Sequence, residues 1–157
     1  MRKIFIISVI VLLIDIVSKR LVINFMDLNS SIDIIDNSFS LTYVENTGVA
    51  FSFLEGYVWL VILATIVILF MMFKYIKNSV SNKLEMVSYG FIIGGAVGNL
   101  LDRIIYGYVI DFLDFNIFGY NFPIFNLADT FIVIGVFRLI IFGRNGESNE
   151  VSSRKKS

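Results

Sequence analysis

Four long apolar stretches predict an α-helical integral membrane protein with four transmembrane helices. Both termini lie in the cytoplasm, with a small extracytoplasmic β-sheet and an interfacial loop or helix outside. Three observations predict this. The 157 residues are 57% hydrophobic with a single proline, and mean hydropathy is +0.81, more apolar than ordinary soluble domains. The stretches fall at residues 4–26, 57–73, 84–101 and 123–142, and a helix needs roughly 17–25 residues to cross a hydrocarbon core of about 30 Å. Basic residues then sort the connections by side. Arg2, Lys3, Lys74, Lys77, Lys83, Arg144, Arg154, Lys155 and Lys156 mark cytoplasmic segments. Residues 27–56 hold Asp27, Asp33, Asp36, Glu45 and Glu55 without one basic residue, and so face outward with residues 102–122. Residues 1–143 make a single membrane domain and 144–157 a disordered cytoplasmic tail.

Composition also excludes chemistry. There is no cysteine and no histidine, so thiol nucleophiles, thiolate zinc sites and imidazole-based triads are absent. A formal net charge of zero, from 13 basic and 13 acidic residues, gives no reason to expect nucleic acid as a partner.

The first span opens like a secretory signal peptide, but no small-x-small cleavage site follows and Asp15 interrupts the apolar run, so it reads as a retained helix. Asp15 and Lys19 share a helical face, acidic member first, as an ion pair that either fixes packing or shapes the outer end of a site. Residues 29–44 alternate polar and apolar in places and suggest short strands. Asn46 and Gly48 suit a turn, in a loop over residues 45–56 that dips into the interface. Span two has no ionisable residue and contacts lipid, with Tyr57 and Trp59 as interfacial anchors. Gly90, Gly94 and Gly98 recur every fourth residue in span three, a seam for close helix packing. Asn99 and Arg103 share a face beyond them, with Asp102 adjacent. Span four begins with Pro123 in its first turn, then presents Asn126 and Asp129 on one face.

Residues 94–129 therefore concentrate Asp102, Asp111, Asp114 and Asp129 with Arg103 and several asparagines in a greasy chain. Ionisable groups at membrane depth are costly and mark working sites. Asp111 sits in an unusually apolar loop, VIDFLDF, 18 residues before Asp129. If the two carboxyls meet, they share one proton. One activates water while the other, protonated, polarises a peptide carbonyl, which is aspartic protease chemistry without metal or cofactor.

These residues resemble the lipoprotein signal peptidases, the type II signal peptidases, from about Ile4 to Phe142. The matching segments are Asp15 with Lys19, Asn46 to Phe51 (NTGVAF), Gly98-Asn99 through Asp102-Arg103, Val109 to Phe112 (VIDF) and Phe125 to Asp129 (FNLAD). Ile16 and Val49 depart from the family's commoner glutamine and alanine. The resemblance implies an intramembrane aspartic endopeptidase of the bacterial cell membrane. It would cut diacylglyceryl-modified prolipoproteins just before the lipidated cysteine, with its active site on the extracytoplasmic side. Asp111 and Asp129 would be the catalytic pair. Asn99, Arg103 and Asn126, with Asp102 between them, would surround it, and Asp15, Lys19, Asn46 and Gly48 would support it. No cofactor is implied, the partners are prolipoprotein substrates and membrane lipids, and the chain is expected to be a monomer. The family's outer sheet and lid would correspond to residues 31–44 and 45–55.

Two rival readings differ in class. A small proton- or ion-coupled transporter should distribute polar groups through the bilayer, and here they gather at one end. A non-catalytic membrane assembly protein would use the glycine seam but leaves the aspartates unexplained. A serine–lysine dyad fails because Ser18 and Lys19 are neighbours on one helix.

Overall fold

The computed structural model describes residues 1–48, 56–80 and 83–142. The expected lid over 45–55 lies mostly outside the described residues, and the tail from 143 onward lies wholly outside them. In chain order the elements are α1 (Arg2–Phe25), β1 (Ser31–Ile35), β2 (Phe39–Asn46), α2 (Val58–Ser79), α3 (Lys83–Tyr106), β3 (Val109–Ile117), β4 (Tyr120–Asn121) and α4 (Leu127–Phe142).

The glycine seam positions the helices. A Cβ on Gly94 would lie 2.6 Å from the Ser8 carbonyl oxygen and 2.7 Å from Val11 Cβ, so only glycine lets α3 approach α1 this closely. Gly90 meets Ile7 and Gly98 meets Asp15 along the same face, while Gly95 and Gly135 do the same between α3 and α4. α2 stands apart: Val61 and Ile76 are its buried apolar residues, and Leu63, Ile66, Val67, Ile68 and Phe70 are exposed. Exposed apolar side chains also cover the outward faces of α1 and α4. Two helices, Val58–Lys77 and Lys83–Tyr106, are long and apolar enough to cross a membrane.

The sheet is larger than the sequence suggested. Its four strands run in the order β1-β2-β3-β4, so β2 and β3 pair although the α2–α3 helices separate them in sequence. Residues 109–117, expected to be loop, form its longest strand. Its β-branched and aromatic residues at alternate positions (Val109, Phe115, Ile117) are strand formers. Val22 of α1 packs with Tyr43, Ile110 and Phe112 in a core that docks the sheet onto one end of the helices.

Three helix boundaries differ from the expected spans. α2 runs to Ser79, six residues beyond the expected end. α3 runs to Tyr106, five residues beyond the expected end, because its charged residues Asp102 and Arg103 find buried partners. It stops at Gly107, whose φ of +83° lets its N–H return to the Arg103 carbonyl at 3.1 Å. Pro123 lies before α4 instead of inside its first turn. Strand β3 holds the chain extended there: Phe112 and Leu113 N–H groups donate to the Phe125 carbonyl at 3.0 and 2.7 Å, and Phe125 N–H donates to the Leu113 carbonyl at 3.1 Å. The helix can begin only after Asn126.

Candidate active site

Pairing between β3 and Phe125 sets Asp111 beside the start of α4, which explains how residues so far apart in sequence come together. On the other edge, β2 contains a bulge: Leu41 pairs with Leu113 but Val44 pairs with Asp111, so β2 spends one extra residue. Such irregularities re-aim side chains. Beyond it Asn46 pairs with Val109, and Asn46 Nδ2 donates to Asp111 Oδ2 at 2.8 Å. Asp114, three residues on, belongs to the opposite face and accepts from Thr42 Oγ1 at 2.8 Å. It stands apart from this site.

Asn126 links the two candidate catalytic groups. Its Nδ2 donates to Asp111 Oδ1 at 2.6 Å. Its Oδ1 accepts from Asp129 N at 2.9 Å, and its own N–H faces Asp129 Oδ2 at 3.3 Å. The last two contacts form a reciprocal capping exchange at the start of α4. Asn99 adds a second link: its Nδ2 donates to Asp129 Oδ1 at 2.7 Å, and its Oδ1 accepts from Asn126 Nδ2 at 3.1 Å. Asn126 and Asp111 are almost wholly buried.

Behind Asn99 stands Lys19, whose ammonium has three donors. It donates to Asn99 Oδ1 at 2.9 Å and pairs with Asp15 Oδ2 and Asp102 Oδ2, each at 2.8 Å. Asp15 Oδ1 accepts the Ala128 backbone N–H at 3.0 Å, tying α1 to the first turn of α4. A side chain on Gly98 would strike the Asp15 carboxylate, so the last glycine of the seam makes room for this charge. Arg103 Nη2 donates to the Gly48 carbonyl at 2.6 Å and Nη1 to the Asn99 carbonyl at 3.3 Å, while its Nε is buried without a partner among the described residues. Gly48 N–H donates to Asn46 Oδ1 at 2.9 Å in a local turn.

All ten candidate residues thus join one hydrogen-bonded assembly. Asp111, Asp129, Asn46, Asn99 and Arg103 line a cavity of about 650 Å³ whose remaining wall is largely apolar and runs from Val61 and Thr65 on α2 to Ile132 and Val133 on α4. Burial, and then the neighbouring Asp129 charge, push the Asp111 carboxyl up to about 7 against the donors from Asn46 and Asn126. Among the described residues no group of three or more acidic side chains converges as a metal site would require.

Sequence reasoning passed over two features. Thr65 and Thr130 line the cavity, and each spends its hydroxyl on its own helix, at 2.8 and 2.9 Å, so neither looks distinctive in sequence. Tyr43 and Tyr108 both bond the Glu45 carboxylate, next to Asn46. That bond, with burial, pushes Tyr108 up to about 12. Tyr43 and Glu45 at alternate positions on β2 were the available signal.

A family model described as signal peptidase (SPase) II matches residues 7–143. The fold is also similar to two solved bacterial membrane enzyme structures obtained by the in meso method. One, at 2.3 Å resolution, is 35% identical with a TM-score of 0.86, covering 95% of this chain and 92% of that one. The other, at 1.9 Å, is 36% identical with a TM-score of 0.81, covering 90% and 92%. With helices able to span a bilayer and this match over most of its length, the chain belongs to the signal peptidase II family of aspartic peptidases.

Proposed function

We propose that the chain removes the signal peptide from diacylglyceryl-modified prolipoproteins, cleaving just before the lipidated cysteine, with Asp111 and Asp129 as the catalytic pair. The observation that carries this reading is the double engagement of Asn126, whose side chain holds Asp111 while its backbone and amide oxygen hold Asp129. Two carboxyls gripped by one residue at the wall of a mainly apolar cavity suit a shared proton.

In this mechanism the pair shares one proton, and the protonated carboxyl donates it to the scissile carbonyl oxygen. The ionised carboxylate takes a proton from the attacking water and returns it to the leaving amine as the tetrahedral intermediate collapses, while the other carboxylate recovers its proton from the intermediate's hydroxyl. The amides of Asn46 and Asn99 on the cavity wall supply donors for substrate carbonyls beside the pair. The apolar wall between α2 and α4 accommodates the signal helix and acyl chains, within the size range of ligand sites.

α1 and α4 complete a set of four spans. α1 carries five charged residues and α4 has 16, so each crosses only with help: Lys19 pairs inside the bundle and Arg20 snorkels. The basic connections place both termini in the cytoplasm and the sheet with the aspartates outside, in a bacterial cytoplasmic membrane where exported, lipidated substrates present their cleavage sites. Residues 1–143 act as one domain in a monomer, without metal or cofactor.

The deciding experiment is cleavage of a diacylglyceryl-modified prolipoprotein peptide by purified protein. Asp111→Asn and Asp129→Asn should each lower turnover by at least about 100-fold, the lower end of what a positioned acid or base contributes, while both variants still fold. Near-normal turnover in either would reject the pair.

A further inference from the structure

The β3–β4 hairpin ends in an aromatic residue that packs against nothing among the described residues. Phe118 is fully exposed, at 105% of its reference area, and Ile117 and Tyr120 beside it are also exposed. Phe118 and Gly119 both have positive φ, +52° and +85°, as the two central residues of a tight hairpin turn of this hand require. Asparagine or glycine ordinarily takes the first of these positions, because a bulky side chain there is strained. Asn116 closes the turn instead, accepting from Gly119 N at 2.9 Å and donating to Asn121 Oδ1 at 2.8 Å. A phenylalanine at a strained tip, with no packing partner among the described residues, is placed to meet something outside the chain.

The surroundings indicate what that is. Residues 115–128 carry no charged side chain, which suits neither an acidic nor a basic partner. The hairpin extends strand β3, which is tied at Leu113 to Phe125 just before α4 starts at Leu127. Its base connects to the cavity through stacked rings: Phe115 lies on Phe125 at 5.7 Å and Phe122 meets Phe125 edge-on at 5.8 Å, and Phe122 and Phe125 line the cavity.

We infer that the hairpin tip is an interfacial wedge, with Phe118 inserted at the headgroup–acyl boundary of the outer leaflet and flanked there by Ile117 and Tyr120. An uncharged, exposed aromatic tip flanked by Ile117 and Tyr120 is the composition such a boundary accepts. Through the ring stack it holds the cavity mouth level with the lipid in which a substrate's acyl chains lie. This rests on the outward placement of the sheet proposed above and not on the proteolytic reading.

The test uses the full chain with its single tryptophan moved, Trp59→Phe with Phe118→Trp, in phosphatidylcholine nanodiscs. Strong quenching by lipids brominated high on the acyl chain and weak quenching by aqueous iodide is the expected result. Quenching by iodide alone would place the tip in water and overturn the wedge. Shielding from both quenchers would mean a protein covers the tip and would equally overturn it. Phe118→Asn relieves the backbone strain and should fold at least as well. It should raise KM for bilayer-embedded substrate several-fold and leave kcat unchanged, and an unchanged KM would overturn the role at the cavity mouth. The fluorescence readout needs no peptidase activity, so failure of the wedge and failure of the proposed reaction are separable.

Discussion

Asp111 shows how one buried residue couples pH to both chemistry and stability. Its carboxyl titrates near 7 in the folded chain against an ordinary value of 3.8, so folding favours the protonated form. That contribution is complete below the ordinary value and is lost as pH rises through about 7. Thermal melting in detergent should therefore show Asp111→Asn gaining on the parent protein as pH rises from about 5 to 8, and a constant difference would contradict the assignment. If Asp111 is the acid, kcat should fall on the alkaline side near the same pH, which a pH–rate profile would read. Lys19 is the corresponding basic residue, holding Asp15 and Asp102 at 2.8 Å each. Lys19→Met leaves two buried carboxylates facing one another, and should cost about 3–5 kcal/mol in denaturant unfolding. A loss below about 1 kcal/mol would show that water reaches the pair.

At the scale of elements, the start of α4 combines a structural and a chemical task in one residue. Asn126 caps the helix through its amide oxygen and grips Asp111 through its amide nitrogen. Serine also caps but cannot reach across. Asn126→Ser should thus keep the cap but leave the Asp111, Asn99 and Ile110 oxygens without their donor and lose about 1–3 kcal/mol, whereas Asn126→Ala loses the cap as well, about 1 kcal/mol more, and cleavage should drop in both. Equal stability of the two variants would show that the cap contributes nothing. Strand β3 is the matching case in the sheet: its pairing with Phe125 delays α4, and that delay is what places Asn126 at the cap.

For the whole molecule the question is orientation. The chain lacks cysteine, so Asp36→Cys and Lys77→Cys introduce unique labels. A membrane-impermeant maleimide should modify the first in intact cells and the second only after permeabilisation. The reverse pattern would invert the proposed topology and remove the aspartates from the side on which exported substrates arrive. The clustering of Asp15, Lys19, Asp102, Asp111 and Asp129 with Asn99 and Asn126 at one end of the bundle also fits a hydrolytic site better than a conducting path, which needs polar groups throughout.

Amino-acid order alone revealed the apolar stretches, the Asp15–Lys19 pair, the glycine seam and the concentration of aspartates and asparagines over residues 94–129, because each is a local pattern of spacing or composition; Asn46 and Gly48 joined the candidate site only through the family resemblance. It missed the strand character of residues 109–117 and placed Pro123 inside a helix. Both errors have one cause, since β3 exists by pairing with β2 across two intervening helices and holds Phe125 extended. Tertiary structure decided which charges neutralise which, that Asp114 faces away, and that Asn126 joins Asp111 to Asp129. Those outcomes depend on sheet register and helix approach, which are set by contacts between residues far apart in the chain.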